Sequence, residues 1–369
     1  MNALPLPLGA PPLPRDIPLP LPLPEWVLVP LLVLSFLLHL LFVNLMLGGT
    51  LVAFWAEWRG RREPAWAGLA RAVGHTVTVN KSLAVVLGVA PLLSINVLYT
   101  LYFYTANVLT GNAWISVVPL VAGAFLLLYL HKYAPRALAA RPGLRLLVLG
   151  LAAAVFLVVP LIFLANVNLM ILPERWGDVR GFWSAAVMRN VIPRYLHFLC
   201  ASLALTGLFL FGFMRRARFD FAAHAPGLDR GRVLRGWYKL AMGATLAQLA
   251  LGPLNLLTLP WRAMNWTVAG TFLAGAALAL LALHWMASEL RGPAASLGRR
   301  FVPVVLILSF TVLVMGYGRH VYRQFALSPF RKAVEQAATG PRTERPPAPA
   351  PPATRPERRG VTEEPGIFR

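Results

Sequence analysis

The sequence predicts an all-α fold, a polytopic transmembrane bundle of about eight helices, each near the twenty residues that a bilayer core requires. Three observations point there. Hydrophobic residues make up 57% of the 369 residues and charged residues only 13%, and the mean hydropathy is +0.62, values foreign to a soluble domain. The apolar residues are gathered into runs of spanning length. Arginines and lysines collect in alternate connections between those runs, the asymmetry expected of a multi-pass membrane protein.

Along the chain, Met1–Pro24 is a Leu-Pro run with proline at almost every second position. It lacks the basic start and continuous apolar core of a secretory signal peptide, and its composition favours an extended, polyproline-like strand along the membrane surface or a partner subunit. Residues 25–322 form the bundle, with spans expected at 25–55, 82–108, 114–131, 146–169, 187–214, 236–258, 266–288 and 301–318. The amphipathic stretch 64–81 either lies in the interface or lengthens the second span. Residues 323–369 are expected to form a basic, Pro-rich flexible tail, low in complexity from 335 onward and unable to bury a core. Such a tail is either a solvated end or a docking segment for an acidic partner on the outer face.

The loops after spans one, three, five and seven hold most of the loop cations, among them Arg59, Arg61, Arg62, Lys132, Arg136, Arg215, Arg216, Arg218, Arg299 and Arg300. The loops after spans two, four and six hold few, including Arg175, Arg180 and Arg262. This bias places both chain termini on the outer face of a bacterial cytoplasmic membrane. The net charge of +21 belongs to these loops and to the tail, with no nucleic-acid-binding motif beside it. Cys200 is the single cysteine, so a disulfide, a CxxC pair and a CxxCH haem attachment are all excluded. Lys81 and Ser82 follow no GxxxxGK loop. Asn80, Asn166 and Asn168 read as buried amides that satisfy neighbouring helices. Trp26, Trp58, Trp114, Trp176, Trp183, Trp261 and Trp266 read as aromatic belts.

An imidazole inside a spanning helix is costly unless paired, so an intramembrane histidine is a functional candidate by default. His75, His131 and His224 fall at the cytoplasmic side, and His284 lies near the inner end of span seven, where it either meets a quinone headgroup or caps its helix. His39, His197 and His320 fall together in the outer half or at its boundary. Shared depth is what ligands converging on one cofactor require. The scarcity of intramembrane carboxylates argues for haem ligation over proton relay.

The segments around these positions resemble a known family, subunit I of the cytochrome bd quinol oxidases. His39-Leu-Leu-Phe-Val-Asn-Leu-Met-Leu-Gly48 is similar to its first-helix motif HFLFVPLTLG. Tyr195-Leu-His197-Phe, followed by Leu203-Ala-Leu-Thr-Gly207, is similar to its KFVH segment. Arg262-Ala-Met264 resembles its RIM motif, and Gly318-Arg319-His320-Val-Tyr322 its GRQPW segment. The resemblance runs across 25–322, in order. It implies that His197 and Met264 hold one haem b, with Arg262 beside the propionates, and that His39 is an axial ligand of another. His320, which follows the point where the family has its glutamate, is the candidate second ligand there, together with His39 or with an external group; haem iron is the metal in both. A His/Met pair favours ferrous iron.

The departures narrow the expected activity. No acid occupies the stretch of span two or three that corresponds to the helix where the oxidases carry glutamates, Gly316 stands where a glutamate precedes their GRQPW segment, and the long quinol-binding loop is reduced to Leu259-Pro-Trp-Arg-Ala-Met264. Dioxygen reduction consumes protons, and a site without buried proton carriers serves it poorly. The expectation is a b-type cytochrome subunit with one or two haems, within a hetero-oligomeric complex. It passes electrons between the quinone pool and a c-type cytochrome or other redox subunit on the outer face. The alternatives are an oxygen-reducing subunit and a haem-free transporter or scaffold.

Overall fold

The computed structural model describes residues 21–78, 81–133, 138 and 140–339, with backbone alone for 77–78, 81–82 and 335–339. The Leu-Pro run up to residue 20, Asn80, Arg136, the tail from 340 and the side chains of Lys81 and Ser82 lie outside the described residues. The described chain is helix and turn without a strand. In order the helices are α1 (Glu25–Gly60), α2 (Pro64–Thr78), α3 (Lys81–Leu98), α4 (Thr100–Thr110), α5 (Asn112–Lys132) and α6 (Pro142–Met170). There follow α7 (Phe182–Ala186), α8 (Val191–Met214), α9 (Phe221–His224), α10 (Arg230–Leu257), α11 (Trp266–Arg291) and α12 (Phe301–Thr339). Of these, α1, α5, α6, α8, α10, α11 and α12 are long and apolar enough to cross a membrane. The chain is an all-α, multi-pass membrane protein.

The second span differs from expectation. Instead of one helix over 82–108, α3 and α4 meet at a bend of 112°, with Tyr99 at φ −135° and ψ 36°. Polar side chains occupy the carbonyls around the break: Asn96 Nδ2 donates to Leu92 O at 2.8 Å, and Thr100 Oγ1 to Asn96 O at 2.6 Å. Such side chains make a broken helix tolerable away from water. Tyr99 itself is held in a buried cluster with Leu32, Phe103 and Tyr322.

The amphipathic stretch packs along α1. Trp66 meets Trp55 edge-on at 5.0 Å, Ala67 abuts Gly60, and further along His39 meets Ala84 and Gly88. Thus α2 and α3 lead back along α1, and the apolar face of α2, with Leu69 and Val73 fully buried, packs inward.

The last helix also departs from expectation. It runs on to Thr339, so 323–339, assigned above to a flexible tail, is helical. A hydropathy window stops at 318 because Arg319, His320 and Arg323 follow. In the fold, His320 and Arg323 are buried among neighbouring helices and do not end the helix.

Two ends of the bundle are distinguishable. At the basic-loop end, Glu57 of α1 accepts from His131 of α5 at 2.6 Å and Arg145 of α6 at 3.1 Å. There too the buried Glu289 of α11 accepts from Tyr238 Oη and from the backbone N–H of Gly298 and Arg300. It thereby satisfies donors at the start of α12 that have no partner within that helix. At the other end, which carries Trp176, Trp183, Trp261 and Trp266, Asn265 caps α11 by accepting from Val268 N at 2.9 Å. The candidate site lies toward this tryptophan end.

Candidate cofactor site between α1, α8 and α12

Two helices set the level of the site. Ser202 Oγ of α8 donates to Asn44 Oδ1 of α1 at 2.8 Å, an offset of 158 residues. Gly48, at the same offset from Thr206, lies so close to Ser202 and Thr206 that a side chain there would collide with both. Helices α1 and α8 therefore run in the same direction and in register, and the same offset puts His39 level with His197.

At that level the two imidazoles turn to different neighbours. His39 is half-buried, and its Nδ1 lies 2.9 Å from Ala84 O of α3. A carbonyl accepts only, so Nδ1 carries the proton and Nε2 keeps its lone pair, the arrangement usual for a metal-binding histidine. Gly88 opposite it leaves room for the ring, since an added Cβ would stand 2.9 Å from Cε1. His197 faces the backbone of Gln248 on α10, and its buried Nδ1 has no hydrogen-bond partner among the described residues. His39 and His197 thus share a depth but not a cleft.

His320, on α12, is 5% exposed, and its Nδ1 also lacks a partner. It lies one turn beyond Gly316, which backs onto Leu37 of α1. Buried imidazole nitrogens without partners are uncommon and call for an explanation. A group bound between the helices is one.

Arg262 and Met264 are placed otherwise. Arg262 is committed to a clamp across the tryptophan end: both guanidinium nitrogens reach the Glu174 carboxylate, Nη2 also donates to Ile171 O at 2.9 Å, and Nε donates to Ala326 O at 3.0 Å. Its plane lies over Phe330 at 5.1 Å. Met264 follows on the same loop, half-buried against the cluster of Leu32, Tyr99 and Tyr322. The loop begins beyond Thr258, whose hydroxyl accepts from Asn190 Nδ2 at 2.7 Å. Asn190 precedes His197 by seven residues, so the loop stands about 10 Å above His197 at about 1.5 Å per residue.

Sequence reasoning passed over the arginines. Arg194, one turn before His197 on α8, lies in the electrostatic field of Arg319, Tyr322 and Arg323 of α12. Arg319 stacks over Phe36 at 4.9 Å and Arg323 over Tyr99 at 5.2 Å. Among the described residues none of the three guanidinium groups makes an ion pair or a side-chain hydrogen bond. The signal was present: Arg319 and Arg323 are one helical turn apart within an apolar stretch.

The remaining histidines stand apart. His131 is taken by Glu57, His224 Nδ1 donates to Asp220 O at 2.7 Å, and His75 and His284 are exposed. Asn166 Nδ2 donates to Asn107 Oδ1 and Asn168 Nδ2 to Arg189 O, structural uses of both amides. Comparison of the chain with family models, with curated proteins and with solved structures finds no match.

Proposed function

We propose that this protein is a haem-b-binding membrane subunit of an electron-transfer complex. It would pass electrons between the quinone pool and a c-type cytochrome or other redox subunit on the outer face of a bacterial inner membrane. The observation that carries the reading is the state of three histidines on crossing helices. His197 and His320 each bury a ring nitrogen that no described residue satisfies, and His39 has its tautomer set by Ala84 O so that Nε2 is available for iron.

Because His39 and His197 face different helices, they belong to separate haems in this reading. His197 serves one and His39 the other, with His320 near α1 as the second ligand for the latter. Met264 remains the candidate partner of His197 on the strength of the motif resemblance, across the axial separation noted above. A bound haem supplies a one-electron iron couple, and the chain supplies ligation, orientation and a low-dielectric surround. Arg262, occupied by Glu174, acts here as a loop clamp and leaves propionate neutralisation to other cations.

The test is a reduced-minus-oxidised visible spectrum with a pyridine haemochrome assay on protein from native membranes, for the wild type and for His39→Ala, His197→Ala and His320→Ala. A haem b signal, with a different part lost in His39→Ala than in His197→Ala, is expected. A colourless wild type, prepared with haem in ample supply, would overturn the reading in favour of a haem-free transporter or scaffold. Carbon monoxide binding by the reduced protein would indicate an open iron and an oxygen-reducing role.

A further inference from the structure

We propose that Arg194, Arg319 and Arg323 form a binding site for the polar end of an amphiphile that carries a pair of oxyanion groups, either two carboxylates or two phosphates.

Charge is the first ground. An arginine in a spanning helix costs about 3 kcal/mol by insertion measurements, and such residues are found paired. Here Arg194 of α8 lies within electrostatic reach of Arg319 and Arg323 of α12, and among the described residues no carboxylate pairs with any of the three. The nearby carboxylates are engaged elsewhere, Glu25 with Arg331 and Glu174 with Arg262. The contacts of Arg319 and Arg323 are with aromatic faces, which leave their N–H donors unmet.

The second ground is independent of the arginines. Beside them on α12, Tyr322 Oη and His320 Nδ1 are buried and find no hydrogen-bond partner among the described residues, in side chains 3% and 5% exposed. Polar groups from one region that all lack a partner mark a place where a ligand's polar atoms belong.

The geometry sets the class of ligand. Arg319 and Arg323 share one face of α12 at a spacing of one turn, and Arg194 stands on α8 within their electrostatic field. Guanidinium forks match carboxylate and phosphate oxygens two at a time, and one singly charged group would leave two cations uncompensated. Phe36, Leu37 and Tyr99 line the surroundings, so the rest of the molecule is apolar. The propionates of a porphyrin and the phosphates of a cardiolipin-type lipid share this chemistry. The site does not rest on the haem reading, since its cations act on charge whether or not iron is ligated.

The test uses the full-length protein in mild detergent and three probes: metal-free protoporphyrin IX, its dimethyl ester, and tetraoleoyl cardiolipin. Omitting iron keeps the outcome separate from histidine ligation. The wild type is expected to bind the free porphyrin or cardiolipin, and Arg319→Gln/Arg323→Gln to bind that probe about a hundredfold more weakly, at about tenfold for each charged hydrogen-bonding group removed. Arg323→Lys, which keeps the charge and loses the fork, is expected about tenfold weaker and serves if the double variant fails to fold. Arg216→Gln, at the basic-loop end, should bind as the wild type does.

Porphyrin bound while the ester is rejected identifies carboxylates as the anion, and cardiolipin bound without porphyrin identifies phosphates. Either supports the site. Probe affinity unchanged in both arginine variants, equal binding of ester and free acid without an effect of the variants on cardiolipin, or no binding of any probe by the wild type would each overturn it. A second readout follows from charge: the probe-free double variant should unfold at a higher temperature than the probe-free wild type. Lower stability with unchanged affinity would assign these arginines to packing against Phe36 and Tyr99.

Discussion

Asn44 of α1 and Ser202 of α8 share a hydrogen bond of 2.8 Å that joins two helices far apart in sequence. Around it the helices are parallel and in register, with Gly48 against Ser202 and Thr206. One polar contact and one missing side chain thus place His39 and His197 at a common depth.

That register depends more on the glycine than on the hydrogen bond. In Asn44→Ala, Ser202 Oγ keeps its bond to Phe198 O, so the loss should be about 0.5–1.5 kcal/mol. In Gly48→Val the new side chain meets backbone, and overpacking of this kind costs about 1–3 kcal/mol or more. Thermal unfolding in detergent ranks the two, and a Gly48→Val protein as stable as the wild type would disprove the close approach of α1 and α8.

Gly88 and His39 should be coupled in the same way. A Cβ at 88 would press on the imidazole at 2.9 Å from Cε1. Gly88→Ala is therefore expected to keep the fold, displace the ring from Ala84 O and reproduce the spectral loss of His39→Ala. A full haem complement in Gly88→Ala alongside a loss in His39→Ala would show that the ring does not need this cradle.

Glu174 and Arg262 should behave as one unit. Their carboxylate–guanidinium contact is partly shielded, with side chains 31% and 29% exposed. Each single change to Gln is expected to cost about 1–2 kcal/mol, and the double change little more than the larger single one. Both singles should retain the haem signal. Loss of the signal in Arg262→Gln alone would return Arg262 to a role at the cofactor.

Glu57 binds three helices at the basic-loop end, through His131 of α5 and Arg145 of α6. Its removal leaves Arg145 without a carboxylate in a largely buried setting, for which about 3 kcal/mol is the expected cost. Glu57→Gln should lower the unfolding temperature markedly with the visible spectrum of the surviving protein unchanged. A spectral change at intact stability would point to a proton-handling role for this group.

The sequence alone determined the class of the protein, seven of the eight expected spans and the common level of His39 and His197. These are local properties: mean hydropathy over some twenty residues, and position within a run, need no knowledge of a neighbour. Where local signals were read as boundaries, they misled. The charges after 318 looked like the end of a span, and the fold shows one helix to Thr339, because packing within the bundle buries Arg323 and His320. The run 82–108 looked continuous, and the fold bends it at Tyr99, where Asn96 and Thr100 can satisfy the freed carbonyls. Partnership was the province of the tertiary structure. Arg262 sits beside a motif methionine in sequence and beside Glu174 in space. Arg194 and Arg323, on separate helices, share an electrostatic field in which no described residue pairs with either. Which side chains face one another depends on how each helix is rotated and which helix it packs on. Those are set by contacts such as Gly48 with Thr206, made between residues far apart along the chain.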